Sequence, residues 1–92
     1  MYLIVVEGCN NDADGGYVYQ PYRLAATPSE ASELMADYMA HGPDDGALAP
    51  EFFALYKERE GEFGAPDYFN PATLQVADGD AVQNWLASTG RV

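Results

Sequence analysis

The chain has 92 residues, of which 48% are hydrophobic and 13% aromatic, and its four basic and fifteen acidic side chains give a formal net charge of −11. This length predicts a single domain over residues 1–92, and the apolar content excludes a disordered chain. The acidity excludes nucleic acid and anionic membranes as direct ligands, because both repel a negative protein.

The first predicted elements are two strands joined by a loop. The β-branched run Tyr2–Glu7 is too short for a helix and predicts an interior strand covered on both faces. Residues 8–16, rich in Asn, Asp and Gly, predict a loop. Residues 17–25 predict a second strand at an edge or a bulge, because Pro21 has no amide to donate to a ladder. We expect the two strands to pair as a hairpin.

Residues 27–42 carry the clearest helix signals of the chain. Thr27 and Glu30 have the spacing of a capping box, and Pro28 suits the first helical position. Gly42 can end the helix. The apolar stripe of this helix consists of Ala31, Leu34, Met35, Tyr38 and Met39.

The second half of the chain is predicted to contain two strands and a helix. Residues 51–60 would fit a short helix or a strand, and we favour a strand. Glycine and proline in residues 61–71 predict a loop, and residues 73–77 a further short strand. Asp78 is a suitable N-cap for a last helix over residues 79–88.

The order of these elements, ββαββα, predicts the α+β class. We expect a small antiparallel sheet of about four strands with two helices packed on one face. The suggested doubling of two strands and a helix is too weak to indicate an internal repeat.

Charge, hydropathy and cysteine content together predict a cytoplasmic protein. No apolar run approaches the roughly 20 residues that span a bilayer, and the N-terminus lacks the basic segment of a signal peptide. The single cysteine, Cys9, excludes an internal disulfide and agrees with a reducing compartment. The negative charge favours encounter with a basic partner, or else serves only solubility.

The first loop resembles the front half of a calcium-binding loop. Asn10, Asp12, Asp14 and Gly15 match positions 1, 3, 5 and 6 of that motif. Position 12, which requires a bidentate acid, is occupied by Pro21. A plain hairpin loop is therefore favoured, with Asn10, Asp12 and Asp14 as weak metal candidates, and we predict no cofactor.

Cys9 and His41 form the one nucleophilic pair to consider, because they are the only thiol and the only imidazole. Cys9 is more typical of a small buried hydrophobe, and His41 suits the negative end of a helix dipole. The chain also lacks the glycine motifs of nucleotide sites and the HExxH motif of zinc proteases. We therefore predict a non-enzymatic protein.

Acidic residues form the main candidate binding surface. Glu30, Glu33 and Asp37 are spaced i, i+3 and i+7, which predicts a ridge of carboxylates roughly 5 to 6 Å apart at the β-carbons. We call these three residues the acidic ridge, and Asp44 and Asp45 extend the same charge beyond the helix. Asp37 is the strongest clue, because it is a poor helix former near the negative end of the dipole. The alternative is an ordinary solvated helix face.

Three tyrosines, Tyr17, Tyr19 and Tyr22, lie close together on the proline-containing strand. Tyrosine in a strand is often a packing residue. It also makes a good interface anchor, because the ring supplies apolar area and the hydroxyl a hydrogen bond. Both interpretations stay open.

Together these features predict a small acidic binding protein that inhibits a basic nucleic-acid-handling protein, with carboxylates in place of phosphates. Inhibitors of restriction and CRISPR systems carried by phages and mobile elements share this composition, and an immunity protein against a basic toxin is a related form. The alternative is an accessory or oligomerising domain, including a homodimer, whose acidity serves only solubility. In that case the sheet edge near Pro21 or the tyrosine face would form the contact.

Overall fold

A computed structural model describes residues 1–9, 17–41 and 50–88. It confirms the α+β class, with two helices and an antiparallel sheet of five strands. Neither described helix is long and apolar enough to cross a membrane. In chain order the elements are β1 (Tyr2–Cys9), β2 (Tyr17–Ala25), α1 (Pro28–His41), β3 (Phe52–Arg59), β4 (Glu62–Asn70), β5 (Gln75–Val76) and α2 (Gly79–Ser88).

The sheet has the strand order β2-β1-β3-β4-β5, and every neighbouring pair is antiparallel. β1 lies in the interior with a partner on each side, as its β-branched run predicts. β2 lies at one edge and pairs with β1 as a hairpin. The register shifts between Ile4 and Val5, so β2 has a bulge beside Pro21. The edge position tolerates the missing proline amide, and the prediction for this strand is confirmed.

The predicted loop over residues 61–71 is wrong, because β4 occupies most of it. Arg59 pairs with Glu62, so Glu60 and Gly61 form a two-residue hairpin turn with φ values of 51° and 84°. Two positive φ values are the geometry that such a turn requires. β5 has only two residues where a longer strand was expected, and the observed order is therefore ββαβββα.

The two helices lie on opposite faces of the sheet, which corrects the prediction that both pack on one face. Successive strand residues point to opposite faces. The Phe53 ring packs against Tyr38 of α1, with centroids 5.9 Å apart. The neighbouring Phe52 ring packs against Trp85 of α2, with centroids 4.9 Å apart. The apolar stripe of α2 predicts that the helix docks, but it does not specify the face.

We call the two sides of the sheet the α1 face and the α2 face. The α1 face and the stripe of α1 form the main core, in which Ala31 and Met35 are fully buried. Leu34 and Tyr38 pack against this core, while Met39 is 38% exposed. The strands contribute five buried residues to the main core, namely Ile4, Val6, Ala25, Phe53 and Leu55.

The α2 face follows from the register, because residues paired across strands share a face. β2 contributes Tyr19 and Leu24 at the edge of the sheet, both more than half exposed. The face consists of Leu3, Val5, Glu7, Tyr19, Leu24, Phe52, Ala54, Tyr56 and Tyr68.

Candidate functional site

The acidic ridge lies on the exposed side of α1. Glu30, Glu33 and Asp37 are all solvent-exposed. One half of the capping box is confirmed, because the Glu30 amide donates to Thr27 Oγ1 at 3.1 Å. Glu30 Oε2 accepts its hydrogen bond from the amide of Ala26, one residue before the cap, at 2.9 Å. The carboxylate of Glu30 therefore has a structural role at the start of the helix.

Asp37 has a local explanation that lowers its weight as a functional clue. Its Oδ1 lies 3.1 Å from Nδ1 of His41, which also contacts the Asp37 carbonyl oxygen at 2.9 Å. Arg23 is a second cation nearby: a hydrogen bond with Tyr22 and the Tyr22 charge raise the pKa of Arg23, and Asp37 adds to that effect. The i, i+4 spacing of Asp37 and His41 is a signal that the sequence already contained.

Several other predicted residues fall outside the part of the chain that the structure describes. These are Asn10, Asp12, Asp14, Asp44 and Asp45. Within residues 1–9, 17–41 and 50–88, no group of three or more His, Cys, Asp or Glu side chains could hold a metal ion.

Cys9 and His41, the nucleophilic pair considered from the sequence, lie at the ends of two different elements. Cys9 ends β1 and His41 ends α1, where the imidazole is engaged with Asp37. A shallow groove at the end of α1 is lined by small and apolar residues with one threonine, namely Ala36, Met39, Ala40, Pro71, Ala72, Thr73 and Leu74. None of these side chains is an acid or a base suited to catalysis.

The three predicted tyrosines do not form one surface. Tyr22 packs against Tyr38 of α1 with ring centroids 5.0 Å apart, and the Arg23 guanidinium lies 5.2 Å from its ring centroid. Tyr19 belongs to the α2 face instead and is 55% exposed. The bulge beside Pro21 separates them, because the extra residue places Tyr22 on the α1 side. Tyr17 begins β2, and its backbone pairs with Cys9.

A buried carboxyl group, Glu7, lies on the α2 face near the start of β3 and was not among the predicted site residues. Its exposed fraction is 1%, and its Oε1 atom has no hydrogen-bond partner among the described residues. Glu7 pairs across the sheet with Tyr19 on β2 and with Phe52 on β3. Burial raises the pKa of Glu7 to about 7, so the group is close to half ionised at neutral pH.

Three tyrosines from three strands lie within electrostatic reach of Glu7. Burial, then the charge of Glu7, then Tyr19 raise the pKa of Tyr56. Burial, Glu7, Tyr56 and Tyr19, in that order, raise the pKa of Tyr68 to about 12. We call Glu7, Tyr19, Tyr56 and Tyr68 the Glu7 cluster.

Aromatic rings close one side of the Glu7 cluster. Phe52 packs edge-on against Tyr68, with centroids 6.3 Å apart, and on Trp85 of α2. One signal could have identified this site. Glu7 ends a run predicted to be covered on both faces, and an acid in such a position is buried in a place where charge is costly.

Comparison of the chain with protein families, with curated proteins and with solved structures gave no match.

Proposed function

We propose that this protein is a small acidic, non-enzymatic binding protein that inhibits a basic nucleic-acid-handling partner. The observation that supports this is the acidic ridge, where Glu30, Glu33 and Asp37 are exposed along one side of α1 on a chain of net charge −11. Carboxylates held at regular intervals on a rigid helix fit a groove that normally receives phosphates. Such a field also speeds encounter with a positive partner.

The members of the acidic ridge are expected to contribute unequally. Glu30 is committed to the start of the helix, and the Asp37 carboxylate contacts Nδ1 of His41 at 3.1 Å. A basic groove would therefore gain most from Glu33, and from Asp37 once an incoming cation competes with His41. Substitutions of Glu30, Glu33 and Asp37 should therefore weaken partner binding to different extents, although each removes the same charge.

A displacement assay tests the proposal. Fluorescent double-stranded DNA is bound to each of a panel of basic nucleases and DNA-binding proteins, and the acidic protein is added at increasing salt. We expect displacement from a subset of these proteins, falling steeply as salt rises. The double variant Glu33→Lys, Asp37→Lys is expected to lose it.

A matched control separates the acidic ridge from net charge. Glu60→Lys, Glu62→Lys makes the same change in charge at the exposed β3–β4 turn and should retain most of the displacement. Equal loss in both double variants would show that only total charge matters. Unchanged displacement by the Glu33, Asp37 variant would refute a role for the ridge.

The second candidate is an accessory or oligomerising domain whose acidity serves only solubility. It is favoured by the exposed apolar side chains on the α2 face of the edge strand, where Tyr19 is 55% and Leu24 53% exposed. Exposed apolar groups on a strand edge fit a second copy of the chain or another sheet. A concentration-dependent dimer in analytical ultracentrifugation that Leu24→Glu abolishes would support it, and a monomer at all concentrations would contradict the homodimer.

A further inference from the structure

We infer that the Glu7 cluster is a binding site for a basic side chain, lysine or arginine, of the partner protein. The inference rests on the proposed function only for the source of the cation. The site itself is argued from the burial of Glu7 and from the three tyrosines that share its face of the sheet, opposite the acidic ridge.

The first argument is the unsatisfied carboxyl group. Buried polar atoms in native proteins nearly always have a hydrogen-bond partner, because leaving one without a partner is costly. Glu7 is 1% exposed, and its Oε1 has no partner within the described ranges. A basic side chain that enters this site would supply both the missing donor and the opposite charge.

The backbone holds the carboxyl group in place. Glu7 is paired to both neighbouring strands, and its carbonyl oxygen accepts a hydrogen bond from the Glu51 amide at 2.9 Å. Moving Glu7 to the other face of the sheet would break ladder bonds to both neighbouring strands, so its side chain stays on the α2 face. A ligand therefore has to come to Glu7.

The surrounding side chains suit a cation. Tyr19, Tyr56 and Tyr68 come from three strands and place aromatic rings on the same face of the sheet as Glu7. Aromatic faces attract lysine and arginine, and more strongly where water is excluded. Phe52 and Trp85 add apolar surface that can cover the methylene stem of such a side chain.

The edge strand provides a route of entry. Tyr19 lies directly across from Glu7 on β2, the outermost strand, and is 55% exposed. Adjacent strands are about 4.8 Å apart, so a basic side chain that enters beside the Tyr19 ring can reach the carboxyl group across a single strand spacing.

Binding should also release a proton. Glu7 pairs with Tyr19 of β2 and Phe52 of β3, and it shares its face of the sheet with Tyr56 of β3 and Tyr68 of β4. Both tyrosine phenols are neutral at pH 7, because their pKa values lie above the ordinary value of 10. A bound cation stabilises the ionised carboxylate, so it lowers a pKa that burial has raised.

The experiment measures the Glu7 carboxyl pKa by ¹³C NMR in the folded, full-length chain. The probes are N-acetyl-arginine methylamide and N-acetyl-lysine methylamide, with the neutral N-acetyl-citrulline methylamide as control. We expect both cationic probes at saturation to lower the pKa by about one unit or more, and the citrulline probe to leave it unchanged. An unchanged pKa with saturating cationic probe would overturn the inference.

Substitutions provide a second readout. Glu7→Gln should weaken probe binding about tenfold or more, whereas Glu62→Gln, the same exchange at an exposed position, should bind as the unsubstituted chain does. Gln resembles the protonated acid, so this variant is expected to fold, and the pKa measurement needs no variant. Equal binding by both variants would refute the site.

The two proposals can fail separately. If probe binding requires Glu7 but the protein displaces DNA from no basic protein, the cation site is supported and the proposed function fails. If displacement requires Glu33 and Asp37 while no cationic probe shifts the Glu7 pKa, the proposed function stands and the cation site is refuted.

Discussion

Replacing Glu7 with glutamine is expected to stabilise the protein increasingly as the pH rises. Burial raises the pKa of Glu7 from an ordinary 4.5 to about 7 in the folded state. Below pH 4.5 the carboxyl is protonated in both states. Between 4.5 and 7 the folded state holds a proton that the unfolded state has lost, so the free energy of unfolding falls as the pH rises.

The size of this effect follows from the difference between the two pKa values. One pKa unit corresponds to about 1.36 kcal/mol, so ionising Glu7 in the folded protein costs about 3 kcal/mol. This is a large share of the 5 to 15 kcal/mol that is typical of a folded domain. The loss is complete above pH 7, and glutamine avoids it because it does not ionise.

Urea unfolding followed by Trp85 fluorescence between pH 4 and 8 measures the effect. The stability of the Glu7→Gln variant relative to the original chain should grow across this range by about 3 kcal/mol. At the usual scaling this is more than about 10 °C in melting temperature. The other fourteen acidic residues are common to both proteins and largely cancel in the difference.

The test of Glu7 ionisation is the pH dependence of the difference in unfolding free energy between the Glu7→Gln variant and the original chain. The amide of glutamine adds donors that need partners, which contributes a constant offset. A difference that stays flat from pH 4 to 8 would show that Glu7 does not titrate near neutrality. Glu62→Gln, at an exposed position, serves as the control and should show no comparable growth.

Three further predictions concern the helices and turns, and all are measured by urea unfolding. Thr27→Ala removes the cap of α1 and should cost about 1 kcal/mol; no loss would contradict its capping role. Met35→Ala, at a fully buried position, should cost about 2 to 5 kcal/mol, whereas Met39→Ala, 38% exposed, should cost much less. Gly61→Ala should cost about 1 kcal/mol because its φ is +84°. Gly79→Ala, with open space and no positive φ, is its control, and equal effects would exclude a conformational origin.

The local elements were largely predictable from the sequence. β1, β2, β3 and the two helices are all present where residue pattern and caps indicated them. Pro21 correctly placed β2 at an edge, because a strand that lacks an amide donor cannot complete its hydrogen bonds to neighbours on both sides.

β4 was missed because its own sequence argues against a strand. Gly64 and Pro66 are breakers, and the turn before the strand is Glu60-Gly61 rather than a typical Asn-Gly. Pairing with β3 overrides these weak local preferences, and a register shift between Tyr56 and Glu58 accommodates the irregularity.

In the candidate site, too, features that depend on local spacing were predictable and features that depend on strand pairing were not. The acidic ridge was predicted because it depends on helical spacing, and so was its capping residue Glu30. The pairing of Asp37 with His41 was also local, at i, i+4, and the prediction overlooked it. The Glu7 cluster could not be derived in this way, because its members come from four strands.

The sequence by itself determined the chain's charge, the positions of β1, β2, β3 and both helices, and the apolar stripe that buries Ala31 and Met35. Each of these depends on residues a few positions apart. The tertiary structure alone decided that α2 docks on the face opposite α1, and that Glu7 is buried on a face that it shares with three tyrosines. The physical reason is that burial and its effect on pKa depend on which distant strands become neighbours, and strand order is set by the packing of the whole chain.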